Sequence, residues 1–465
     1  MSAAMTGEGR VVIVLHTHMP YVEGFGTWPF GEEWLWEAVA SSYLPLLELL
    51  DDGAPITLSL TPVLGDQLAA PGLLHRFQVF VEEIRDETHA RDVASLSKRG
   101  ETALAEEVRR AAGDYRWALE RLQALRGDLL GALAGHARWT SAATHAVLPL
   151  LASDAGVRLQ LRAGIDAHRA RSGGWGGGLW LPECAYAPWL DPLLEQAGVH
   201  ATCVDLTDHF GLGDERHLRP WRGRGGPLLV PIDRAIVELV WSEHGYPADP
   251  AYRDYHALSE HHHHPWANGG VPYQHQAALE RAHAHARDFV RRLGERVADG
   301  GLCVCALDTE LLGHWWYEGP TWLGAVVREA SAAGLALVTL DQALSERDAQ
   351  DAPPEGFPCS TWGAGRDLST WSGPAVADMA WAVRAGELQV LRAAPSADAV
   401  AVRELLAAQS SDWAFLVARD LARPYGRERQ AGHLERLRRA LAGEGDPDAL
   451  RGLAPYADPS ALLEP

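Results

Sequence analysis

Leu302-Cys303-Val304-Cys305-Ala306-Leu307-Asp308-Thr309-Glu310 is an apolar run that ends abruptly in two carboxylates. Seven comparable runs stand elsewhere: Val11–His18, Ile56–Val63, Gly178–Cys184, Ala201–Asp208, Leu228–Asp233, Ile236–Ser242 and Leu335–Leu340. Stretches at helical spacing separate them. Short strands that are apolar on both faces and alternate with helices form a parallel sheet covered by helices. The repeats are too many for a small open sheet, and no dinucleotide fingerprint follows the first run. The pattern therefore predicts an α/β protein built on a β/α barrel. Active sites of such barrels lie at the C-terminal ends of the strands. That rule singles out His16-Thr17-His18, Glu183, Asp205 and Asp208, Asp233, and Asp308-Thr309-Glu310.

The chain has 465 residues, with 41 Lys+Arg against 62 Asp+Glu and a formal charge of −21. That length suits one very large domain or two to three ordinary ones. The acidic balance argues against a nucleic-acid partner, because a phosphate backbone selects clustered cations. No apolar run approaches the ~18 residues of a membrane span. The polar stretch Met1 to Arg10 leads into Val11–Leu15, too short for a signal-peptide core. The five scattered cysteines suit a reducing compartment. A cytoplasmic location is expected. Trp (18) and His (21) are both abundant, and surplus Trp serves either a core or flat platforms for sugar rings.

Arg76 to about Gly135 is charged, rich in Ala, Leu and Glu, and free of proline, which predicts helices inserted after the second strand. Asp348–Pro358 is acidic and Pro-rich and reads as a linker. Pro374 to about Gly443 has helical spacing and predicts a C-terminal helical domain. The division expected is 1–347 for the barrel with its insertion around 76–135, and 348–465 for linker, a Trp-containing loop and helices.

Glu183 follows Leu179-Trp180-Leu181-Pro182, and Asp308 follows Val304–Leu307, each beside aromatic residues. Two convergent carboxylates in an aromatic setting suit glycosidic bond chemistry: one attacks the anomeric carbon, the other is kept protonated to release the leaving oxygen. Capping and ion pairing in the βα loops are the competing roles for any single strand-end acid. His16 and His18 bracket Thr17 and so share a face of a strand. They suit either hydrogen bonds to sugar hydroxyls or zinc with an acid as third ligand. His261–His264 reads as a solvated loop, and Cys303 and Cys305 as buried, inert thiols. Trp362 and Trp371 flank a glycine-containing loop, as walls for a sugar chain or as anchors for the helical domain.

These segments together resemble glycoside hydrolase family 57, and most closely its branching-enzyme group. His16-Thr17-His18-Met19-Pro20-Tyr21 resembles the first of the family's five regions, and Thr144-His145-Ala146-Val147-Leu148-Pro149 the end of the second. Gly178–Tyr186 matches the third, Leu307–Gly319 the fourth, and Trp362–Trp371 the fifth. Gln409-Ser410-Ser411-Asp412-Trp413 also looks like a branching-enzyme segment. The resemblance runs from about Val11 to Leu441. It implies an incomplete (β/α)7 barrel with inserted helices and a C-terminal α-helical domain. It also implies a retaining mechanism without metal or cofactor, with Glu183 as nucleophile and Asp308 as general acid/base. The expected substrate is an α-glucan polysaccharide, cleaved at α-1,4 and rejoined at α-1,6. His16, His18, His145, Trp180, His314, Trp316, Trp362, Trp371, Asp412 and Trp413 are the expected substrate-binding residues. Oligomeric state is left open.

The chain departs from the family pattern at three points. Ala137 stands where the second region usually has an acid. The stretch between His209 and Gly245 has no tyrosine, although branching enzymes carry one in a loop there; Trp221 is the apolar residue expected to substitute as a lid. Arg366 replaces a common glycine in the fifth region. The alternatives within the family are an α-amylase-like hydrolase and a 4-α-glucanotransferase. Outside it stand a non-catalytic glucan binder and a zinc-dependent glycosidase or deacetylase.

Overall fold

The computed structural model describes residues 9–464 apart from 25, 27–30, 224, 395–397 and 423. Its strands, in chain order, are β1 (Arg10–Thr17), β2 (Thr57–Leu60), β3 (Ala137–Ser141), β4 (Leu179–Trp180) and β5 (Ala201–Val204). They continue as β6 (Trp221–Arg222), β7 (Leu228–Pro231), β8 (Leu302–Asp308), β9 (Ala336–Leu337) and β10 (Gln350–Asp351). One sheet runs β4-β3-β2-β1-β8 and a second runs β10-β6-β7-β5. A parallel bridge from Gly178 to Ala201 joins β4 to β5, and the Asp233 N–H donates to the Val304 carbonyl at 2.8 Å between β7 and β8. Seven parallel strands thus curl into an incomplete barrel.

Side-chain alternation decides what the barrel interior holds. Val12, Val14, Val304 and Ala306 pack inward with Trp139 and Trp180. Continuing the same parity brings His16 and Asp308 to the interior, side by side in the β1–β8 register. The alternate residues Val11, Ile13, Leu15, Cys303 and Cys305 pack outward against the helices. The proline-free stretch forms helices Leu73–Val79, Asp86–Lys98, Thr102–Ala124 and Leu129–His136.

Three local expectations need correction. Ile236–Ser242 is not a strand. Asp233 caps a short helix, Arg234–Val237, and Ile236, Val237 and Val240 turn one face to the core. The 348–358 segment contains β10, whose backbone pairs with β6: Gln350 N–H donates to Pro220 O at 3.0 Å and Ala352 N–H to Arg222 O at 2.9 Å. This holds Trp221 between two strands, with Phe210 and Phe357 packed on its ring. It is a fixed core residue rather than a lid. His261–His264 is folded rather than solvated: His261 and His263 each donate through Nδ1 to Asp92, at 2.8 and 2.6 Å.

The helices Ala377–Ala393, Ala399–Ala408, Ser411–Ala418 and Tyr425–Leu441 form the C-terminal unit. Val390, Leu405, Leu406 and Leu437 share one core with Tyr21, Val63 and Leu159 of the barrel. A buried polar network reinforces that junction. The Glu387 carboxylate accepts from Ser153 Oγ (2.6 Å), Ala152 N–H (3.0 Å) and Gln409 Nε2 (3.1 Å). Gln160 Nε2 then donates to Gln409 Oε1 at 2.9 Å. Glycine at position 156 leaves room for the Glu387 carboxylate, which a Cβ there would displace. Glu387→Ala removes the acceptor of three donors, the buried Gln409 and the half-buried Ala152 and Ser153, at ~1 kcal/mol each. It is expected to lower unfolding stability by about 3 kcal/mol in urea titrations, with Glu387→Gln recovering part of it. A loss below about 1 kcal/mol would show that the apolar core alone holds the junction.

Candidate active site

The strand ends bring together residues from five regions of the chain. Register places His16 beside Ser59 on one side and Asp308 on the other. Glu183 follows β4 in a left-handed conformation, φ 60° and ψ 21°, and Cys184 after it also has positive φ. Such backbone costs roughly 1–3 kcal/mol per residue and persists only where neighbours fix it. Here the Trp362 N–H donates to the Glu183 carbonyl at 3.2 Å, and Tyr186 and Ser360 exchange backbone hydrogen bonds. Trp362 is itself anchored: Arg234 donates to its carbonyl at 2.8 Å while pairing with Asp205. The strand-end acids Asp205, Asp208 and Asp233 thus bind arginines Arg234, Arg366 and Arg296.

The Glu183 carboxylate has two defined donors. Ser411 Oγ donates to Oε1 at 2.8 Å and Trp362 Nε1 to Oε2 at 3.2 Å. Ser411 belongs to the C-terminal unit, which also docks here by backbone, its N–H donating to the His145 carbonyl at 3.0 Å. His145, another residue with φ near 60°, continues the chain of contacts. Its Nδ1 is 2.8 Å from Ser411 Oγ and its Nε2 is 2.8 Å from His16 Nε2; His16 Nδ1 is 3.3 Å from Ser59 Oγ. Burial holds both imidazoles well below their usual pKa, and the neighbouring histidines add to it. With Glu183 ionised, two neutral rings leave one consistent polarity: His16 donates to His145, His145 to Ser411, and Ser411 to Glu183. The chain ends on an acceptor.

His18 behaves oppositely. Burial pushes its pKa down, but the charge of Asp412 and the hydrogen bonds to it prevail, helped by Glu310 and Glu183, and raise it. Both Asp412 oxygens lie 3.1 Å from His18 Nε2, and Asp412 is lowered to about 2, His18 outweighing the effect of its burial. Glu310 accepts from Tyr43 Oη at 2.7 Å and from the His18 N–H at 3.1 Å.

The carboxylates separate electrostatically. Burial raises Asp308 well above the usual range, and the charges of Glu310, Glu183 and Asp412 raise it further. Burial also pushes Glu183 up, to about 7, with Ser411, Trp362 and His18 pulling it back against Asp412. Burial and acidic neighbours thus all favour the proton on Asp308, whereas Ser411, Trp362 and His18 favour the ionised form of Glu183; Glu310 is likewise raised by burial, to about 7.

Accessibility sorts the expected residues. Side chains of Glu183, His18 and Asp412 remain 15%, 11% and 16% exposed, so a substrate reaches them. His16 and His145 are buried with both ring nitrogens engaged, so they stand behind Glu183 instead of lining a sugar site. Trp180, stacked on His16, is buried, as are Trp316, Trp371 and Trp413. Trp316 packs on Tyr252 and Trp322, and Trp413 donates to the Ala407 carbonyl, so neither offers a face to a glucan. Trp371 sits in the core of the helical unit. Trp362 is half-buried on Glu183, and half-buried His314 lies beside Tyr255 and Trp315. Sequence reasoning missed Ser411, Glu310 and Tyr43 as site residues. The first two stood in stretches already singled out; Tyr43 carried no signal.

His18, His145 and Asp412 place ligand atoms within 4.8 Å of one another, the spacing of a metal site. Their donors are committed elsewhere, however, and the His18 and His145 rings stack at 3.8 Å. A metal would have to displace the His18–Asp412 pair and the contacts that orient Glu183, so the zinc alternative fits these residues poorly.

Comparison with known proteins agrees with this architecture. Residues 139–357 match the glycosyl hydrolase family 57 domain, and residues 380–448 match the 1,4-alpha-glucan branching enzyme C-terminal domain. A probable 1,4-alpha-glucan branching enzyme of Mycobacterium tuberculosis is 34% identical, over 97% of this chain and 96% of its own. The 1,4-alpha-glucan branching enzyme of Thermococcus kodakarensis is 31% identical over 94% of this chain and 74% of its own. The crystal structure of the branching enzyme from Pyrococcus horikoshii superposes with a TM-score of 0.85 at 30% identity, covering 98% of this chain and 96% of that one. The chain belongs to glycosyl hydrolase family 57.

Proposed function

We propose that this protein is a 1,4-α-glucan branching enzyme that acts on a glycogen-like glucan in the cytoplasm, with Glu183 as nucleophile and Asp308 as general acid/base. The observation that carries the reading is the C-terminal unit. The segment matching the branching-enzyme C-terminal domain supplies Ser411 and Asp412 to the carboxylate cluster, so that domain is part of the chemistry. Among the described residues no helix is long and apolar enough to cross a membrane.

The steps follow from the charge arrangement. Ionised Glu183 attacks the anomeric carbon of an α-1,4-linked glucosyl residue while protonated Asp308 gives its proton to the departing O4. This leaves a covalent glycosyl ester and a shortened chain. Asp308, now a carboxylate, takes the proton from the 6-hydroxyl of a second chain as that oxygen attacks the anomeric carbon. The ester breaks, Glu183 returns as a carboxylate, and an α-1,6 bond with retained configuration results. Ser411 and Trp362 each donate to one Glu183 oxygen and so fix the carboxylate's orientation in the ground state.

Incubation with amylose, followed by proton NMR, tests the reading: α-1,6 anomeric signals should grow with few new reducing ends. Reducing ends without α-1,6 signals would make the protein a hydrolase. Glu183→Gln should abolish turnover while sparing glucan binding; substantial residual turnover would remove Glu183 from the nucleophile's role. Ser411→Ala tests the positioning. The acid limb of kcat/KM reports Glu183, whose ionised form Ser411 favours, so removing the hydroxyl raises that pKa. The limb should move to higher pH by roughly one unit, the equivalent of one such hydrogen bond. An unmoved limb would mean Ser411 serves only the domain junction.

A further inference from the structure

Past Glu310 the chain runs on as Gly313–Tyr317 into the wall of a cavity of about 550 Å³, a volume typical of ligand pockets. None of Glu183, Asp308 and Asp412 lines it. Its other walls come from helix Glu32–Ala38, helix Thr102–Ala124 and the segment around Tyr255. Ser41 lines the cavity, and from the same helical turn the Tyr43 hydroxyl donates to Glu310 of the carboxylate cluster. The His314 N–H donates to Ser42 Oγ at 3.1 Å, tying the two walls together.

Its chemistry is selective. Trp315 and Trp117 are 46% and 40% exposed, and the Tyr255 ring lies 4.5 Å from that of Trp315. The charged groups are neutralised in place. Arg85 pairs with Glu37 at 3.3 Å and Arg253 with Glu107, and the Tyr115 hydroxyl donates to Glu37 at 2.6 Å. Burial pushes Glu33 up to about 8, with Glu37 adding to it, so it is largely protonated at neutral pH. Such a cavity has no surplus charge for an ion. It offers flat aromatic faces for the apolar side of a ring and planar paired groups for hydroxyls in the ring's plane. Those are the needs of a neutral sugar.

We propose that this cavity seats the acceptor glucan, the chain whose 6-hydroxyl attacks the glycosyl-enzyme; the inference rests on the branching reading above. The side follows from the chemistry. Leaving group and acceptor both occupy the face served by Asp308, and the cavity wall is the direct continuation of the strand that carries Asp308. On the other side, Trp362 and Ser411 hold Glu183. Two stacking platforms outside the carboxylate cluster hold a chain that is bound but not cleaved.

The test titrates amylose as donor and end-labelled maltoheptaose as acceptor against wild type, Trp315→Ala and Trp117→Ala. Trp117 sits on an exposed helix face, so that variant separates binding from folding. Each variant should raise the acceptor KM about five- to tenfold, the loss of one stacking face. Maltoheptaose should also bind Glu183→Gln more weakly by a similar factor when Trp315→Ala is added. An unchanged acceptor KM in both variants, with maltoheptaose still bound, overturns the cavity assignment and leaves the glucan reading intact. Failure of Glu183→Gln and wild type to bind any malto-oligosaccharide overturns the glucan reading itself.

Discussion

Among the described residues, four carboxyl groups, Glu183, Asp308, Glu310 and Asp412, meet at one end of the barrel around His18, whose pKa Asp412, Glu310 and Glu183 raise. Close like charges cannot all ionise, so the protein must decide which group keeps a proton. Asp308 keeps it, since burial and three acidic neighbours all raise its pKa. Glu183 is released toward ionisation by Ser411, Trp362 and His18. Two carboxyl groups of the same chemical type acquire opposite duties from their surroundings alone.

This makes the C-terminal unit a part of the site rather than an appendage. Ser411 reaches Glu183 across 228 residues of sequence, and Asp412 reaches His18 across 394 and raises its pKa. Both contacts need the helices to dock at one orientation, which the Glu387–Gln409–Gln160 network and the shared core around Tyr21 and Leu159 provide. The left-handed backbone at Glu183 and His145 is held by the same contacts. Strain at Glu183 and domain docking are therefore one problem, solved by one set of hydrogen bonds.

Much of this was legible in the chain. Apolar runs ending in acids marked the barrel, and strand alternation put His16 and His18 on one face, while the pairing of His16 with Asp308 needed the β1–β8 register. Hydrophobic pattern failed where local capping outweighed it: Asp233 turned Ile236–Val237 into a helix. It also failed for β3, because Ala137-Arg138-Trp139-Thr140-Ser141 lacks a continuous apolar run and takes its strand form from pairing with β2 and β4. Tryptophan abundance was ambiguous by nature. Composition cannot tell a platform from a core, and Trp180, Trp316, Trp371 and Trp413 proved to be core while Trp315 and Trp117 remained exposed. Ser411 and Tyr43 were unreadable because their partners are fixed only by tertiary docking.

Retaining transfer at this site requires Glu183 to be the group that bonds to the glycosyl residue. A fluorinated glucosyl fluoride, which forms the ester quickly and loses it slowly, followed by proteolysis and mass spectrometry, reads that bond directly. The account predicts one label on the peptide containing Glu183, absent in Glu183→Gln. A label on Asp308 or Glu310 instead would contradict it, as would inverted product with no adduct.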